Sequence, residues 1–489
     1  MFVVTLPLSA SKNPALFARR AKKAGAQLLE IRGDLTPRVS LFRSTLPILL
    51  ALRGAEKALA EKLKPEFLDV ELEEASQFRN WGAAPQLRSG GSSCKHTLII
   101  SHHDYKKTPS LTELEKIVQK MYSYKPWMIK IVTFVRDEKD LLVLQKLQEF
   151  MNKKSIRSTV LGMGPKAHLT RLLSPTRNAF TYTYLDGALP AAVGQLPLSL
   201  YQLLPKVSKP ALFGIIGGSQ ISRSLSPIIH NALFARHKID AVYSCFPTDD
   251  FRKTLKSLFP LSFRGCSVTA PFKLDALKFG TNVDSLSKKI GAANTLVFSL
   301  AARREVKAFN TDYFGILKGY PFLSRCHSIA ILGAGGAVPA IIEALLSLNS
   351  KASVTLFVRD PKKAQTALRH CRVAIRSLSD LRFTEPHAIL CAISQDVDTA
   401  LPKAKKGAVA IDLRYGTETK FMKSARKKGY KVYDGIPMLI HQALRQFEYF
   451  TSKKTCSDDV LYLQKILKKN FPLSTFHLPL STLHFPHGQ

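Results

Sequence analysis

The chain has 489 residues, of which 45% are hydrophobic, and carries a formal net charge of +36. This length exceeds what one ordinary core fills, so it predicts two or three domains, and the composition excludes a mainly disordered chain. The basic residues are spread along the whole chain without interleaved aromatics, so we expect a solvated basic surface, with no specific nucleic acid and no membrane as partner.

The first half alternates short apolar, β-branched runs with charged stretches of helical type. Eight such strand–helix units in about 200 residues match a small eight-stranded α/β barrel. We therefore predict an α/β chain that begins with a (β/α) barrel domain at residues 1–206. The predicted strands are Phe2–Leu6, Gln27–Arg32, Ile48–Arg53, Phe67–Leu72, Thr97–His103, Met128–Phe134, Ser158–Met163 and Ala179–Leu185.

Lys130 is the most informative polar residue of this half. It lies between Ile129 and Ile131 in a predicted strand, so its side chain points into the barrel if its neighbours point outward. Desolvation there disfavours the ammonium, which is what a Schiff-base nucleophile needs at neutral pH. The alternative is a lysine that snorkels to water at the strand end.

Three patterns of the first half occur together. They are Ser101-His102-His103-Asp104-Tyr105 followed by Thr108-Pro109, the strand lysine, and Glu30-x-Arg32. Together they resemble the type I 3-dehydroquinate dehydratases over essentially residues 1–205. The resemblance implies that Lys130 forms an imine with the substrate ketone and that His103 moves the protons. The substrate-binding residues that it implies are Glu30, Arg32, Arg53, Arg171 and Gln195.

Two positions depart from the pattern of that family. The glutamate expected four residues after Arg53 is replaced by Lys57, with Glu56 one residue earlier, and Ser-Ala-Pro-Gly-Gln is replaced by the segment 191–195, Ala-Ala-Val-Gly-Gln. Lys130 and His103 remain, so we expect an active dehydratase.

The alternation breaks at a Pro/Lys/Ser segment near residues 204–210 and resumes with a new predicted strand at 211–216. We predict an α/β substrate-binding domain at 211–312, a Rossmann domain with closing helices at 313–450, and a C-terminal helix and tail at 451–489. Four constellations follow the boundary: Ser222–Asn231, Gly265–Lys273, Gly291–Thr295 and Phe309–Asp312. The serines of the first could merely cap a helix.

In this order and spacing the four constellations resemble shikimate dehydrogenase, from Leu212 to about Phe450. The resemblance implies that Lys273 and Asp312 form a catalytic pair, in which an ammonium beside a carboxylate keeps a proton near the reacting oxygen. The substrate-binding residues that it implies are Ser224, Ser226, Thr269, Asn294, Tyr415 and Gln442.

A glycine-rich turn marks the predicted cofactor site. An apolar strand, Ile329–Leu332, runs through this turn into a helix, which is the context for a pyrophosphate at a helix N-terminus. Arg359 follows the next predicted strand and suits the 2′-phosphate of NADP, whereas Asp360 suits the free ribose of NAD. We predict NADP, with NAD as the alternative. The predicted cofactor-binding residues are Gly333, Ala334, Gly335, Gly336, Ala337, Arg359 and Gly435.

Together the resemblances imply a bifunctional shikimate-pathway enzyme. It would dehydrate 3-dehydroquinate to 3-dehydroshikimate and reduce that product to shikimate with NADPH, so its partners would be small molecules; the residues carry no signal for an oligomeric state. The alternative is a shikimate/quinate dehydrogenase whose catalytically weak barrel serves as a structural module. Seven scattered cysteines without C-x-x-C spacing fit a reducing compartment and no bound metal. With no signal peptide visible we expect a cytoplasmic protein, and a mobile tail with His477, His484 and His487.

Overall fold

This computed structural model describes residues 1–470, except positions 37–38, 56, 82–96, 189, 193, 206, 208, 300–304, 370 and 372. The three tail histidines, Cys94 and Glu56 therefore lie outside the described residues. By its internal contacts the chain divides into two compact units, Met1–Gly214 with Ser219–Phe263, and Ile215–Gly218 with Arg264–Gln489. Within the described ranges, no helix is long and apolar enough to cross a membrane.

The first unit begins with a nine-stranded parallel sheet in the order β7-β6-β5-β4-β3-β2-β1-β8-β9. Its strands are β1 Phe2–Thr5, β2 Leu28–Arg32, β3 Ile48–Ala51, β4 Phe67–Glu71, β5 Thr97–Asp104, β6 Met128–Phe134, β7 Ser158–Met163, β8 Thr181–Tyr184 and β9 Leu196–Pro197. The eight predicted strands correspond to β1–β8, whereas the two-residue β9 was not predicted.

The sheet curls so that β7 and the segment before β8 meet. Ala179 N donates to Ser158 O at 2.8 Å, and Phe180 N donates to Thr159 Oγ1 at 3.1 Å. The predicted α/β class with an N-terminal barrel is confirmed. Helices connect the strands: α1 Pro14–Lys23, α2 Lys57–Leu63, α3 Leu111–Tyr122, α4 Glu138–Lys153, α5 His168–Leu172, α6 Ser174–Arg177 and α7 Leu198–Tyr201.

The barrel interior changes from apolar to polar along the strands. Side chains two apart on a strand share a face, so Met128, Lys130 and Val132 of β6 all point inward. The apolar members of this interior form one buried cluster drawn from seven of the strands, against which Phe67 of β4 packs; it includes Val3, Leu28, Leu49, Ile99, Met128, Leu161, Phe180 and Tyr182. Its buried polar members include Glu30, Asp69, Ser101 and Lys130. A polar layer inside a barrel is where substrate chemistry is expected.

The first unit also contains the segment up to Phe263. Its elements are α8 Ser226–Arg236, α9 Phe251–Leu258, β11 Ala241–Pro247 and most of β10 Ala211–Gly217. One buried polar contact joins this segment to the barrel: His168 Nδ1, on α5, lies 3.0 Å from Ser244 Oγ on β11. The barrel and this segment therefore pack together within one unit.

The second unit contains two groups of strands. In the first group β12 Phe263–Val268, β14 Thr295–Phe298, β15 Val306–Phe309 and β13 Asn282–Val283 are neighbours in that order. The second group is a parallel sheet in the order β18-β17-β16-β19-β20-β21. Its strands are β16 Ser328–Leu332, β17 Ser353–Val358, β18 Ala374–Ser377, β19 Ala388–Cys391, β20 Val409–Asp412 and β21 Lys431–Tyr433.

The parallel sheet has the strand order of a doubly wound dinucleotide-binding fold. Successive strands are added to one side of β16 up to β18 and to its other side from β19 on, so a crevice opens at the carboxyl ends of the parallel strands β16 and β19. Buried apolar clusters cover both faces of the sheet. The helices of this unit are α10 Lys273–Phe279, α11 Ser285–Ile290, α12 Asp312–Gly319, α13 Val338–Leu348, α14 Pro361–Ala367, α15 Lys420–Lys427, α16 Ile436–Thr451 and α17 Ser457–Asn470.

Candidate active sites

Lys130 lies in the middle of β6 with its side chain inside the barrel. The residue is 4% exposed, and its Nζ donates to Asp69 Oδ2 at 2.7 Å. The same Nζ lies 4.3 Å from the centroid of the Tyr182 ring. Burial lowers the pKa of Lys130, although the charge of Asp69 opposes that shift. The side chain does not snorkel, and its surroundings favour the neutral, nucleophilic amine.

His103 lies on β5 with its ring against Arg53. The two terminal nitrogens of Arg53 lie 2.7 and 2.8 Å from His103 Nδ1 and Nε2. A guanidinium only donates hydrogen bonds, so it fits a neutral ring with an acceptor nitrogen better than an imidazolium. Burial and the charges of Lys130 and Arg53 lower the pKa of His103. The ring is therefore held in the unprotonated state that a general base requires.

Two carboxylates in this site, those of Asp69 and Glu71, were not among the predicted site residues. Besides Asp69, which binds Lys130, Glu71 lies 2.9 Å from His103 Nδ1 and pairs with Arg53. Both carboxylates lie on β4, two residues apart on one face. Two acidic residues at alternate positions near the end of an apolar strand are the sequence signal that identifies them.

Lys57 occupies the position where the dehydratase pattern has a glutamate. Its Nζ donates to Gln77 O at 3.2 Å, and it lies 4.8 Å from the centroid of the Phe78 ring. The Lys57 side chain is thus engaged with the segment after β4. Among the described residues, Glu71 is the carboxylate in contact with the His103 ring.

Glu30, on β2, and Arg171, on α5 rather than at a strand end, are both buried. Glu30 accepts a hydrogen bond from Thr5 Oγ1 at 2.5 Å. Arg171 is 4% exposed, and its Nε has no hydrogen-bond partner among the described residues. Burial lowers the pKa of Arg171, while the charges of Tyr201 and Glu30 act in the opposite direction. A buried guanidinium with a free N–H suits an anionic ligand.

Arg32 and Gln195 bind parts of the chain itself. Arg32 donates to both carboxylate oxygens of Asp34, at 3.0 and 2.5 Å, and lies 3.4 Å from Ala191 O. Gln195 Oε1 accepts from the backbone N–H groups of Ala191 and Ala192 at 2.8 and 3.3 Å. These contacts hold the loop that follows β8. The predicted contact of both side chains with substrate stays a prediction.

Lys273 and Asp312 are brought together in the second unit, each at the first residue of a helix. Lys273 Nζ donates to Asp312 Oδ2 at 2.5 Å. The other carboxylate oxygen accepts from Asn294 Nδ2 at 2.9 Å, and Asn310 Oδ1 accepts from Asp312 N at 3.1 Å. Asn294 thus binds the carboxylate and Asn310 holds the backbone of Asp312, and the carboxylate in turn orients the ammonium.

A buried polar network stands behind this pair. Asn294 Oδ1 accepts from Thr311 N and from Thr295 Oγ1, both at 2.8 Å. Thr311 Oγ1 lies 3.4 Å from Gln442 Oε1, which places α16 at the same network. The amide and the carbonyl of Asn294 are therefore both engaged, and its side chain has one orientation. Predicted residues Asn294, Asp312 and Gln442 belong to one cluster.

Thr269, Tyr415 and the two serines complete the predicted substrate ligands. Thr269 is partly exposed, and its backbone N donates to Ile216 O at 3.0 Å; Tyr415 is half-buried after β20. Ser224 and Ser226 belong to the first unit, where Ser224 Oγ donates to Ser226 Oγ at 3.1 Å. The N-cap residue of α8 is Leu225, whose side chain makes no cap, and Ser224 Oγ accepts from Ser226 N, the first N–H of the helix, at 3.2 Å. The role of the two serines towards substrate stays a prediction.

The glycine-rich turn connects β16 to α13. Gly333 has φ +98°, a conformation that favours glycine, and its N donates to Phe357 O at 2.9 Å. A Cβ on Gly335 would meet no atom nearer than 3.7 Å, so space remains over this part of the turn. No side chain caps the start of α13. An open turn before an uncapped helix N-terminus fits the pyrophosphate of a dinucleotide.

Gly336 places this turn beside the lysine of the pair. A Cβ on Gly336 would lie 3.6 Å from Lys273 Cδ, so the aliphatic part of Lys273 lies against the turn. Predicted cofactor-binding and predicted catalytic residues therefore meet within one unit. Gly435 allows the backbone to pass close to Leu413, since any side chain at this position would collide with Leu413 O.

Arg359 and Asp360 follow β17 and decide between two forms of the cofactor. Asp360 Oδ1 accepts from Lys363 N at 3.0 Å and forms the N-cap of α14. Its carboxylate is thereby engaged in capping, which leaves the exposed Arg359 as the group suited to a ribose 2′-phosphate.

Two family models match this chain. The model of type I 3-dehydroquinase matches residues 2–204, and that of the shikimate dehydrogenase substrate binding domain matches residues 216–296. The first match covers the barrel that contains Lys130 and His103. The second covers the segment that contains Lys273 and Asn294.

One similar protein combines the same two parts, and another matches about half of the chain. A chloroplastic bifunctional 3-dehydroquinate dehydratase/shikimate dehydrogenase of Arabidopsis thaliana is 27% identical over 88% of this chain and 79% of that protein. Shikimate dehydrogenase (NADP(+)) of Aquifex aeolicus is 32% identical over 48% of this chain and 90% of that protein. A crystal structure of the Aquifex aeolicus shikimate dehydrogenase matches 53% of this chain and 99% of that chain, at 30% identity and a TM-score of 0.47. The chain belongs to the shikimate dehydrogenase family and, with its type I 3-dehydroquinase region, to the bifunctional 3-dehydroquinate dehydratase/shikimate dehydrogenases.

Proposed function

We propose that the chain catalyses two consecutive reactions. The barrel dehydrates 3-dehydroquinate to 3-dehydroshikimate, and the second half reduces that product to shikimate with NADPH. The observation that carries the proposal is that each half contains a lysine bound to a carboxylate, Lys130 to Asp69 and Lys273 to Asp312. A barrel kept only as a structural module is not favoured, because Lys130 and His103 keep the surroundings that the chemistry needs.

In the barrel, the neutral amine of Lys130 attacks the ketone carbon of the substrate, and loss of water gives an imine. The imine withdraws electrons from the neighbouring carbon, so the neutral ring of His103 removes a proton there. The electron pair left behind forms the new C=C bond as the hydroxyl of the next carbon departs. Protonated His103 returns its proton to that hydroxyl, which leaves as water, and hydrolysis of the imine frees Lys130.

Charged side chains around Lys130 hold the substrate. The unpaired Nε of Arg171 is available for the substrate carboxylate, because a buried donor gains most from an anionic acceptor. Glu30 offers carboxylate oxygens to the ring hydroxyls. Glu71, through Arg53 and Nδ1 of His103, fixes the orientation of the base.

In the second half, Lys273 holds a proton at Nζ for the carbonyl oxygen of 3-dehydroshikimate, and Asp312 orients that ammonium. Asn294 and Asn310 hold Asp312 in place. NADPH, when bound at the turn Gly333–Ala337 with its 2′-phosphate at Arg359, supplies the hydride. The fit of that turn rests on its open surface and on the uncapped start of α13.

Borohydride trapping tests the first reaction, and a coupled assay tests both. With dehydroquinate, borohydride adds the mass of the reduced substrate to Lys130 in wild type and none in Lys130→Ala. Lys130→Ala still reduces supplied dehydroshikimate, and Lys273→Ala still dehydrates dehydroquinate. A mixture of the two variants with NADPH forms shikimate. Dehydration by Lys130→Ala, or wild-type reduction by Lys273→Ala, would contradict the proposal.

We also propose the domain bounds 1–206, 211–312, 313–450 and 451–489, and a reducing compartment such as the cytoplasm. Six cysteines of the described residues carry free thiols, five of them at least partly buried. Expression of the separate segment 1–206 with dehydratase activity would support the first bound.

A further inference from the structure

Tyr182 is a buried tyrosine on the inner wall of the barrel. It lies on β8, two residues after Phe180 on the same face, and is 4% exposed. Its hydroxyl has no hydrogen-bond partner among the described residues. Most buried polar atoms in proteins are paired, and leaving one unpaired costs stability. A phenylalanine would pack the same space without that cost, so the hydroxyl calls for a functional explanation.

The surroundings of Tyr182 are those of the dehydratase site. Lys130 Nζ lies 4.3 Å from the centroid of its ring. Burial raises the pKa of Tyr182, the carboxylates of Asp69 and Glu30 raise it further, and Arg53 and Arg171 act against them. The charges of four groups of the site therefore act on the phenol, which remains a protonated hydrogen-bond donor.

An unpaired buried hydroxyl is not by itself a site, as Tyr430 shows. That tyrosine lies in the second unit, is also 4% exposed, and also has an unpaired hydroxyl among the described residues. It packs in the apolar cluster on one face of the parallel sheet. What distinguishes Tyr182 is its contact with Lys130 and its place among the charges of the polar layer.

We propose that Tyr182 is a further substrate-binding residue of the dehydratase, whose hydroxyl donates a hydrogen bond to an oxygen of the bound hydroxylated ring acid. Its ring face meanwhile lies against the amine of Lys130 and restricts where that amine can lie. The inference rests on the proposed dehydration in the barrel. It adds a donor that neither the sequence patterns nor the implied ligand set contain.

The test compares Tyr182→Phe with Tyr430→Phe in the full chain. Each change removes one unpaired hydroxyl and keeps the ring. We expect Tyr182→Phe to raise KM for dehydroquinate, or lower kcat, by about tenfold, the size of one hydrogen bond to a polar or charged group. The reduction of dehydroshikimate stays as in wild type, and the midpoint of thermal unfolding does not fall, because the change removes an unpaired buried hydroxyl. Tyr430→Phe leaves both reactions unchanged.

The outcomes separate the inference from the proposed function. Borohydride trapping on Lys130 in wild type reports the dehydratase chemistry independently of Tyr182. With trapping intact, unchanged kcat and KM in Tyr182→Phe would overturn the inference alone. If Tyr182 were purely structural, Tyr182→Phe would instead lower the unfolding midpoint and leave KM for dehydroquinate unchanged. Absence of trapping in wild type would overturn the proposed dehydration, and the inference with it.

Discussion

The two halves of the chain use the same pair of side chains in different settings. The side chains of Lys130 and Asp69 are 5% and 1% exposed, whereas those of Lys273 and Asp312 are 12% and 9% exposed and are backed by asparagines. An amine that attacks carbon must lose its proton, and burial favours that loss. An ammonium that serves a carbonyl oxygen must keep its proton within reach of substrate. Burial of the pair, rather than its composition, distinguishes the two roles.

The largest effect is expected when each lysine becomes arginine, because a guanidinium stays protonated in proteins. Lys130→Arg should abolish dehydration and borohydride trapping. Lys273→Arg should keep more reduction than Lys273→Ala, since it still donates a hydrogen bond to the carbonyl oxygen. Steady-state rates of both reactions measure this, and the untouched reaction in each variant serves as the folding control. Measurable dehydration by Lys130→Arg would show that the barrel does not need a neutral amine, and so would contradict the proposed difference between Lys130 and Lys273.

The next effect concerns Asp312, the carboxylate of the less deeply buried pair. Asp312→Asn loses the charge that orients the Lys273 ammonium while it keeps the size of the side chain. We expect kcat for reduction to fall by about 10²–10⁴-fold, the range for a positioned proton donor. Dehydration in the same chain stays at the wild-type rate. A loss below tenfold would show that the Lys273 ammonium is oriented without the charge of Asp312.

Burial in the first unit also has a measurable cost in stability, through His168. Burial lowers the pKa of His168 to about 4. Between pH 6.5 and pH 4 this histidine therefore binds a proton in the unfolded chain but not in the folded chain. Stability therefore falls as the pH drops from 6.5 to 4, by about 3 kcal/mol.

His168→Gln should remove that part of the pH dependence. Denaturant unfolding, followed by loss of dehydratase activity at pH 7.5 and at pH 5, measures the difference from wild type. The exposed His327 provides the control, because His327→Gln should leave the slope of stability against pH unchanged. Equal slopes in wild type and His168→Gln would show that the contact with Ser244 Oγ accommodates the charged ring.

A smaller effect is expected at Arg359, because this side chain is exposed and contributes to binding of the dinucleotide rather than to the reaction itself. Arg359→Ala removes an exposed charge from the predicted 2′-phosphate site. KM for NADPH should rise about tenfold, the size of one exposed charge-assisted hydrogen bond, while KM for NADH stays the same. Dehydration provides the control. A parallel rise for both cofactors would show that Arg359 acts on the shared part of the dinucleotide.

Local pattern was sufficient for much of the fold. The predicted bounds of β6 and β7 agree with the structure, because apolar, β-branched runs there are flanked by charged helical sequence. The inward direction of Lys130 followed from alternation along one strand. The predicted pair Lys273–Asp312 followed from motifs, and the structure brings the two residues together.

What the sequence did not provide depends on register between strands. Ser101 on β5 is paired with both Glu71 on β4 and Lys130 on β6. This register brings the two carboxylates of β4 close to the base on β5 and the amine on β6. No pattern along one strand contains that information. The pattern likewise implied that Arg32 binds substrate, whereas in the structure its guanidinium binds Asp34. Which partner Arg32 has depends on distances that the sequence does not contain.

The smallest predicted effect is a shift in pH dependence, and it tests the comparison most directly. The negative charge of Asp69 raises the pKa of Lys130 against the effect of burial. Asp69→Asn removes that charge, so the pKa of Lys130 falls and the amine stays neutral to lower pH. The acid limb of borohydride trapping, measured as yield against pH, should therefore move to lower pH, with reduction unaffected. A limb that moves to higher pH would mean that Asp69 accepts the proton of Lys130 during the reaction. The buried pair would then act as a proton carrier, as Lys273 and Asp312 do, and exposure alone would not account for the division of roles.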